Sequence, residues 1–261
     1  MHKLSVIIVT WNSQGYIEKC ITSVIEATRN ITNEIIIVDN YSTDKTCEII
    51  KKYKKIILLS QKKNWGFGLA NNIGIKHTKG DLLLLLNPDT IVNKHAIESM
   101  IEFLQKTPDA GIVGPEQHKD DGKIMFTSTK LTPIHTMHYL IEKCINIHNP
   151  KERKIFIKPR KTWFVNAGCL MAKRMVFQNN DWFDKKLFMY GEEFDLYEKI
   201  RHTPWNVYFL PYCSIVHFRD KSIEKTNKKT LFVLKSFSYL CIKIIKEQCK
   251  SFFTLSPKPF L

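Results

Sequence analysis

Asp81-Leu82-Leu83-Leu84-Leu85-Leu86-Asn87-Pro88-Asp89-Thr90 is the stretch from which the fold can be read. Five consecutive leucines fall far short of the roughly 20 apolar residues that a membrane-spanning helix needs. They suit a central strand of a parallel sheet, buried on both faces. Pro88 has no N–H to give to a ladder, so pairing should stop there. That leaves the Asn87 carboxamide and the Asp89 carboxylate at the strand's carboxyl end, the edge where open α/β sheets bind ligands. Read alone, the same residues describe a strand and an Asn-Pro turn, with Asp89 or Thr90 capping the next helix.

Working outward, strand and helix patterns alternate. Leu4–Thr10 reads as a strand, followed by a helical pattern to Arg29. Glu34–Val38 is a second strand, after which Ser42 or Thr43 is expected to cap a helix reaching about Tyr53. Ile56–Ser60 is a third strand, and Gly66–His77 a loop entering a helix. After Asp81–Leu86 come a helix at Lys94–Lys106 and strands at Gly111–Pro115, Trp163–Met171 and Asn206–Leu210. The expected fold is α/β, a mostly parallel, Rossmann-like sheet flanked by helices. Residues 1–218 are expected to form one domain of two halves, 1–115 and 116–218. Residues 219–261 form a basic tail, and 116–162 are expected to be irregular and to lie over the site.

Composition narrows the choice. The seven cysteines are scattered without a Cys-x-x-Cys pair, which predicts reduced thiols in a cytosolic setting and argues against a zinc module. The N-terminus enters a strand by residue 4 without a small-residue cleavage site, so no signal peptide is expected. The net charge of +15 suits nucleic acid, an anionic membrane or anionic substrates. Ten basic and three acidic residues lie in 219–261, so +7 of that charge is in the tail. No recognition helix, zinc finger or RNA-binding signature accompanies it, which disfavours a nucleic-acid-binding protein. A nucleotidyltransferase is disfavoured too, because Thr10–Gly15 has no basic residue to meet a triphosphate. Gly66-Phe67-Gly68 lacks the third glycine of a dinucleotide fingerprint and follows the wrong strand.

The acidic residues carry the chemistry. In a helix beginning near Gly191, Glu192 and Asp195 share one face, while Glu193 points about 100° away. An isolated Glu-Glu-x-Asp is commonly a solvated helix N-terminus, where acidic groups favour the dipole. The aromatic frame of Phe183, Phe188, Tyr190, Phe194 and Tyr197 instead suggests a partly buried cluster with a function. His217, by itself most simply a packed histidine, is a secondary metal-ligand candidate.

Five segments occur in a telling order: Ser5–Asn12 (SVIIVTWN), Ile37–Asp44 (IVDNYSTD), Asn64–Asn72 (NWGFGLANN), Leu86–Asp89 (LNPD) and Tyr190–Asp195 (YGEEFD). Together they resemble the family 2 glycosyltransferases of GT-A fold, most closely the bacterial rhamnosyltransferases of polysaccharide assembly. The resemblance spans roughly Leu4 to His217. It implies that Thr10, Asn12 and Asp39 hold the nucleotide base, Asp39 accepting from a pyrimidine N3–H. It implies that Asn40, Asn64, Gly66, Gly68, Asn72 and Asn87 line the nucleotide-sugar pocket. Asn87-Pro88-Asp89 stands where the family has Asp-x-Asp, with Asp89 reaching a divalent cation, Mg2+ or Mn2+. Asn87 in place of the first aspartate leaves one fewer charge for that cation, and His217 matches a position that completes the metal shell. The catalytic base falls on Glu193, where the family has aspartate; Glu192 and Asp195 stay open. Trp163 and Gly168 match positions that meet the acceptor. The implied reaction is an inverting transfer from a pyrimidine-nucleotide sugar, dTDP-L-rhamnose or alternatively a UDP-hexose, to a saccharide or lipid-linked saccharide.

The tail reads as helical from Lys228 to Phe253. Lys228, Lys229, Lys235, Lys243, Lys246 and Lys250 fall in a sector roughly 120° wide, opposite a broad apolar face that includes Leu231, Leu234, Phe237 and Leu240. Two expectations follow with equal weight. Either the helix lies on an anionic bilayer at the inner face of the cell membrane, or it packs on the domain with its lysines solvated.

Overall fold

The five leucines divide between two cores. Leu82, Leu84 and Leu86 face one cluster, and Leu83 and Leu85 face another, as a period of two demands of a strand covered on both sides. All five are buried, each worth about 1.5–3 kcal/mol relative to exposure. The structure, a computed structural model, describes residues 3–125, 128–129, 157–177 and 182–218, with helical positions at 232, 234–236 and 238–243. The 137–147 apolar patch of the sequence and most of 116–162 lie outside the described residues.

Strands β1 (Leu4–Thr10), β2 (Asn33–Asp39), β3 (Ile57–Ser60) and β4 (Leu82–Leu86) run parallel in the order β3-β2-β1-β4. Beyond β4 the sheet becomes mixed. β10 (Cys169–Lys173) inserts antiparallel between β4 and β6 (Ala110–His118), and β11 (Asn206–His217) follows parallel to β6. β5 (Thr90–Ile91) and β8 (Arg160–Thr162) pair antiparallel with β11, while β7 (Ser128–Thr129) pairs with β9 (Phe164–Val165). Helices α1 (Ile17–Ala27) and α4 (Lys94–Lys106) cover one face. α3 (Phe67–Lys76) and α5 (Glu192–Arg201) cover the other, and α2 (Thr46–Lys51) lies between β2 and β3.

Several local expectations are corrected. Neither Ser42 nor Thr43 caps α2; Asp44 accepts the Thr46 N–H at 3.0 Å. Ser42 and Thr43 instead bond Asn12. The α4 cap is Asn93, accepting from Ala96 N–H at 2.8 Å, not Asp89 or Thr90. The strand expected at Trp163–Met171 is broken into β9 and β10 by Asn166-Ala167-Gly168, and the break is what builds the site. β11 runs past Pro211 by shifting register between Leu210 and Ser214, the kind of irregularity at which a strand tolerates proline. Among the described residues no helix is long and apolar enough to cross a membrane.

Candidate active site

Strand register delivers each polar residue to one edge of the sheet. Thr10 and Asp39, last in β1 and β2, are direct partners in the ladder. Both are buried, and Thr10 Oγ1 and Asp39 Oδ1 accept no hydrogen bond among the described residues. Two neighbouring buried oxygens without donors are costly unless a ligand supplies them. The other Asp39 oxygen accepts from Ser42 N–H at 3.1 Å, which fixes the carboxylate's rotamer. Burial, then hydrogen bonding to Asp39 and its charge, push the adjacent Cys47 thiol up to about 11, so it stays neutral. Asn12, in a left-handed conformation (φ 48°), accepts from Thr43 N–H at 2.8 Å and ties the β1 loop to the β2 loop.

The carboxamides deeper in the pocket hold the chain itself. Asn40 donates to Asn64 Oδ1 at 2.8 Å and to Gly66 O, and accepts from Trp65 N–H. Asn72 pairs both ways with the Phe183 backbone, at 2.8 and 3.1 Å. The glycines permit a close approach, but to protein. A Cβ on Gly66 (φ +80°) would enter the Phe188 carbonyl group, and one on Gly68 would lie 2.8 Å from Phe183 Cβ. The loop before α3 is thereby locked to segment 182–191, which leads into α5.

His217 is aimed from behind. The pairing of β5 with β11 sets His217 against Thr90, beside Asp89. Gln117 is fully buried and donates through Nε2 to Asn166 O at 3.0 Å, so its Oε1 can only accept, and it does so from His217 Nδ1 at 2.9 Å. The Nε2 lone pair therefore faces Asp89 Oδ1 at 3.3 Å, with the Asn87 carboxamide also at 3.3 Å. A lone pair and a carboxylate oxygen at that separation, both buried, are best matched by a shared proton or a cation. Among the described residues no third His, Cys, Asp or Glu converges there. One carboxylate and one oriented imidazole would fit as the protein's share of the ligands to a divalent ion. Gly168 is buried under the imidazole, where a Cβ would lie 2.5 Å from Nδ1, and its carbonyl accepts Asn87 N–H at 3.0 Å.

The three acidic residues of α5 separate cleanly. Asp195 is buried and ion-paired to Lys199 at 2.7 Å and to Lys243. Glu192 is buried against Gly68 of α3. Glu193 is half-buried, and one of its oxygens accepts from Ala167 N–H at 2.8 Å. Ala167 and Gly168 are adjacent in the chain, so neighbouring residues touch the Glu193 carboxylate and the His217 imidazole. Burial and then the Glu193 charge hold the Tyr197 phenol protonated, and it donates to Val165 O at 2.6 Å. Helix α5 begins from two left-handed residues, Tyr190 (φ 66°) and Gly191 (φ 90°), a conformation that a tyrosine adopts only under constraint.

Residues 5–180, about two thirds of the chain, match the model of "Glycosyl transferase family 2". The chain belongs to glycosyl transferase family 2. It is 24% identical over 238 residues to an N-acetylglucosaminyl-diphospho-decaprenol L-rhamnosyltransferase of Mycobacterium tuberculosis, spanning 84% of this chain and 77% of that one. The S. aureus glycosyltransferase TarS, solved with UDP-GlcNAc, superposes with a TM-score of 0.59 at 18% identity, over 88% of this chain and 64% of TarS 1–349. A mannosyltransferase from Pyrobaculum calidifontis, solved with GDP-Man and Mn2+, gives 0.60 at 17% identity, over 84% and 57%. These two likenesses establish the shared fold.

Of the residues singled out in this family 2 glycosyltransferase sequence, the structure brings Asn87, Asp89, Glu193, Gly168 and His217 to one locus, with Thr10 and Asp39 at the neighbouring strand ends. Trp163 lies elsewhere, under the Arg201 guanidinium at 4.0 Å, at the far end of α5 from Glu193. Gly168 supports His217 rather than offering a surface. Gln117, Asn166 and Ala167 went unremarked in the sequence. A buried glutamine inside an apolar strand was the one available signal.

Proposed function

We propose that this glycosyltransferase is an inverting enzyme that transfers a sugar, L-rhamnose, from a pyrimidine nucleotide to a lipid-linked saccharide, with Glu193 as its base. The observation that supports the reading is that adjacent residues touch the two groups, Ala167 N–H holding Glu193 and Gly168 lying beneath the His217 imidazole. Thr10 and Asp39 take the pyrimidine, whose N3–H matches the open Asp39 oxygen. A divalent cation held by Asp89 and His217 supplies neutralisation of the charge on the departing diphosphate. Glu193 receives the acceptor hydroxyl's proton on the oxygen that Ala167 leaves open. The acceptor oxygen bonds to the anomeric carbon as the carbon–phosphate-oxygen bond breaks on the opposite face, inverting the centre. Glu193 is favoured over Asp195 because two ammonium groups hold Asp195, and over Glu192 because Glu192 is buried against α3.

The rhamnosyl donor rests on the mycobacterial relative, and a UDP-hexose donor is the second reading, favoured by the TarS likeness. The same relative's name supports a lipid-linked acceptor. The exposed flank of the tail helix, with Leu234, Lys235 and Ile242, offers a surface for an anionic membrane at its cytoplasmic face. Glu193→Gln tests the mechanism: transfer is expected to fall by at least about a hundredfold while donor binding stays unchanged. Turnover close to wild type in Glu193→Gln, measured with dTDP-rhamnose and with UDP-GlcNAc, would remove Glu193 from the role.

A further inference from the structure

The tail helix grips the start of α5. Phe232 stacks on Phe188 with ring centroids 5.1 Å apart, and the Ser236 hydroxyl donates to Met189 O at 2.9 Å. Leu240 is buried against Gly191, where a Cβ would lie 2.7 Å from Leu240 Cδ1. Lys243 reaches past them to pair with Asp184 at 2.9 Å and with Asp195, and Tyr239 donates to the same Asp184 oxygen at 2.8 Å. These contacts fall on consecutive turns of one helix. They meet the segment whose left-handed residues set the direction in which α5 leaves.

We propose that Lys243 is a positioning residue for transfer: it neutralises Asp195 and, with the helix that carries it, seats α5 so that Glu193 rather than Asp195 meets the acceptor. The proposal rests on Glu193 being the base. Asp195 lies two residues from Glu193 and is buried. Lys243 and Lys199 together balance two carboxylates, Asp184 and Asp195; without Lys243 only Lys199 is left for the pair, and the first turn of α5 must move or take up water to relieve the unbalanced charge. Glu193 moves with that turn, because its anchor to Ala167 N–H belongs to a different element. The base end of the donor site is spared, since Lys243 pairs with Asp184 and Asp195 and none of the described contacts of the tail helix reaches Thr10 or Asp39.

The test is steady-state kinetics of the full chain carrying Lys243→Met, Lys243→Arg, Leu240→Ala, or Lys243→Met together with Asp195→Asn. Donor affinity is measured separately by calorimetry. Lys243→Met is expected to lower kcat roughly tenfold to a hundredfold, the loss a displaced catalytic group entails, with donor Kd within about twofold. Lys243→Arg should restore most of kcat by keeping the charge. The double variant should recover part of it, because the carboxylate needing compensation is gone. Leu240→Ala repeats the kcat–Kd split if the charge variants fold poorly. Wild-type kcat in Lys243→Met, or equal loss of kcat and donor affinity across the set, overturns the positioning role. An inactive Glu193→Gln beside a fully active Lys243→Met would sink this inference and leave the base standing. An active Glu193→Gln beside an inactive Asp195→Asn would sink the base.

Discussion

Replacing Gly168 by alanine should disable the enzyme without touching a ligating atom. The added Cβ would stand 2.5 Å from His217 Nδ1 and 3.0 Å from Asn166 Oδ1, against 3.4 Å or more in an ordinary contact. Relief needs a relative displacement of about 1 Å between the imidazole and β10. Neither side yields easily. The ring is held by Gln117 at 2.9 Å, and Gly168 is bonded through its N–H to Asn166 and through its carbonyl to Asn87. Overpacking of this kind costs about 1–3 kcal/mol, which for a domain of this size lowers the melting temperature by several degrees. On the proposed reading of His217 as a cation ligand the functional loss is larger, because the imidazole is pushed off the orientation that Gln117 gives it. A tenfold to hundredfold weaker Mn2+ affinity is expected, the order seen when such orienting contacts are lost. The assay is a calorimetric Mn2+ titration in the presence of UDP or dTDP, paired with thermal unfolding. Gly15→Ala is the control, since a Cβ there meets nothing within 4 Å. If Gly168→Ala binds Mn2+ as the parent does and turns over normally, the assignment of His217 as an oriented ligand is wrong.

Asp39→Asn should weaken nucleotide binding by roughly 2 kcal/mol, about thirtyfold, because an amide offers a weaker acceptor for the pyrimidine N3–H; an unchanged Kd for dTDP and UDP would place the base elsewhere. The clamp around Asp184 should be sensitive to acid. Burial pushes that carboxyl up, but hydrogen bonds from the Lys186 amide, the Lys243 ammonium and the Tyr239 hydroxyl outweigh it, leaving it at about 2. A depressed carboxyl stabilises the fold above its unfolded value near 4 and loses that contribution as pH falls towards 2. Exchange protection factors of the helical amides at 234–236 and 238–243, corrected for the intrinsic pH dependence of exchange, should therefore fall over that window in the parent, and Asp184→Asn should show the lower protection already at neutral pH. Finally, the full chain should co-sediment with phosphatidylserine vesicles and be released by about 0.5 M salt. Leu234→Asp with Ile242→Asp should abolish the binding; undiminished binding by that variant would argue for a non-membrane role of that flank, and equal recovery with neutral vesicles would refute the preference for an anionic surface.

The parallel half of the fold could be read almost residue by residue, because β1 to β4 are short apolar runs punctuated by polar loops. The mixed half could not. β10 is a short, mostly apolar run like β4, and nothing in Cys169–Lys173 declares its antiparallel direction, which comes from tertiary pairing with β4 and β6. The break at Asn166-Ala167-Gly168 looked like the interior of one strand. The cluster in α5 showed the converse: helical periodicity separated Glu193 from Glu192 and Asp195, as observed. What sequence could not supply was the identity of the partners that neutralise Asp195, since Lys243 is 48 positions away along the chain. The tail posed two equal alternatives, and in its described part Lys243 faces inward, paired, while Leu234 and Ile242 are each 53% exposed. The apolar and basic sectors therefore do not divide along the surface of contact.

The link between residues 167 and 168 has a bearing on how such an enzyme can diversify. With one residue's amide holding Glu193 and the next packed beneath the His217 imidazole, two adjacent residues act as a gauge for the spacing between the proposed base and the proposed metal ligand. Accommodating a bulkier sugar by sliding either partner would drag the other along. New specificities must then be sculpted in the walls around that gauge, leaving its width alone.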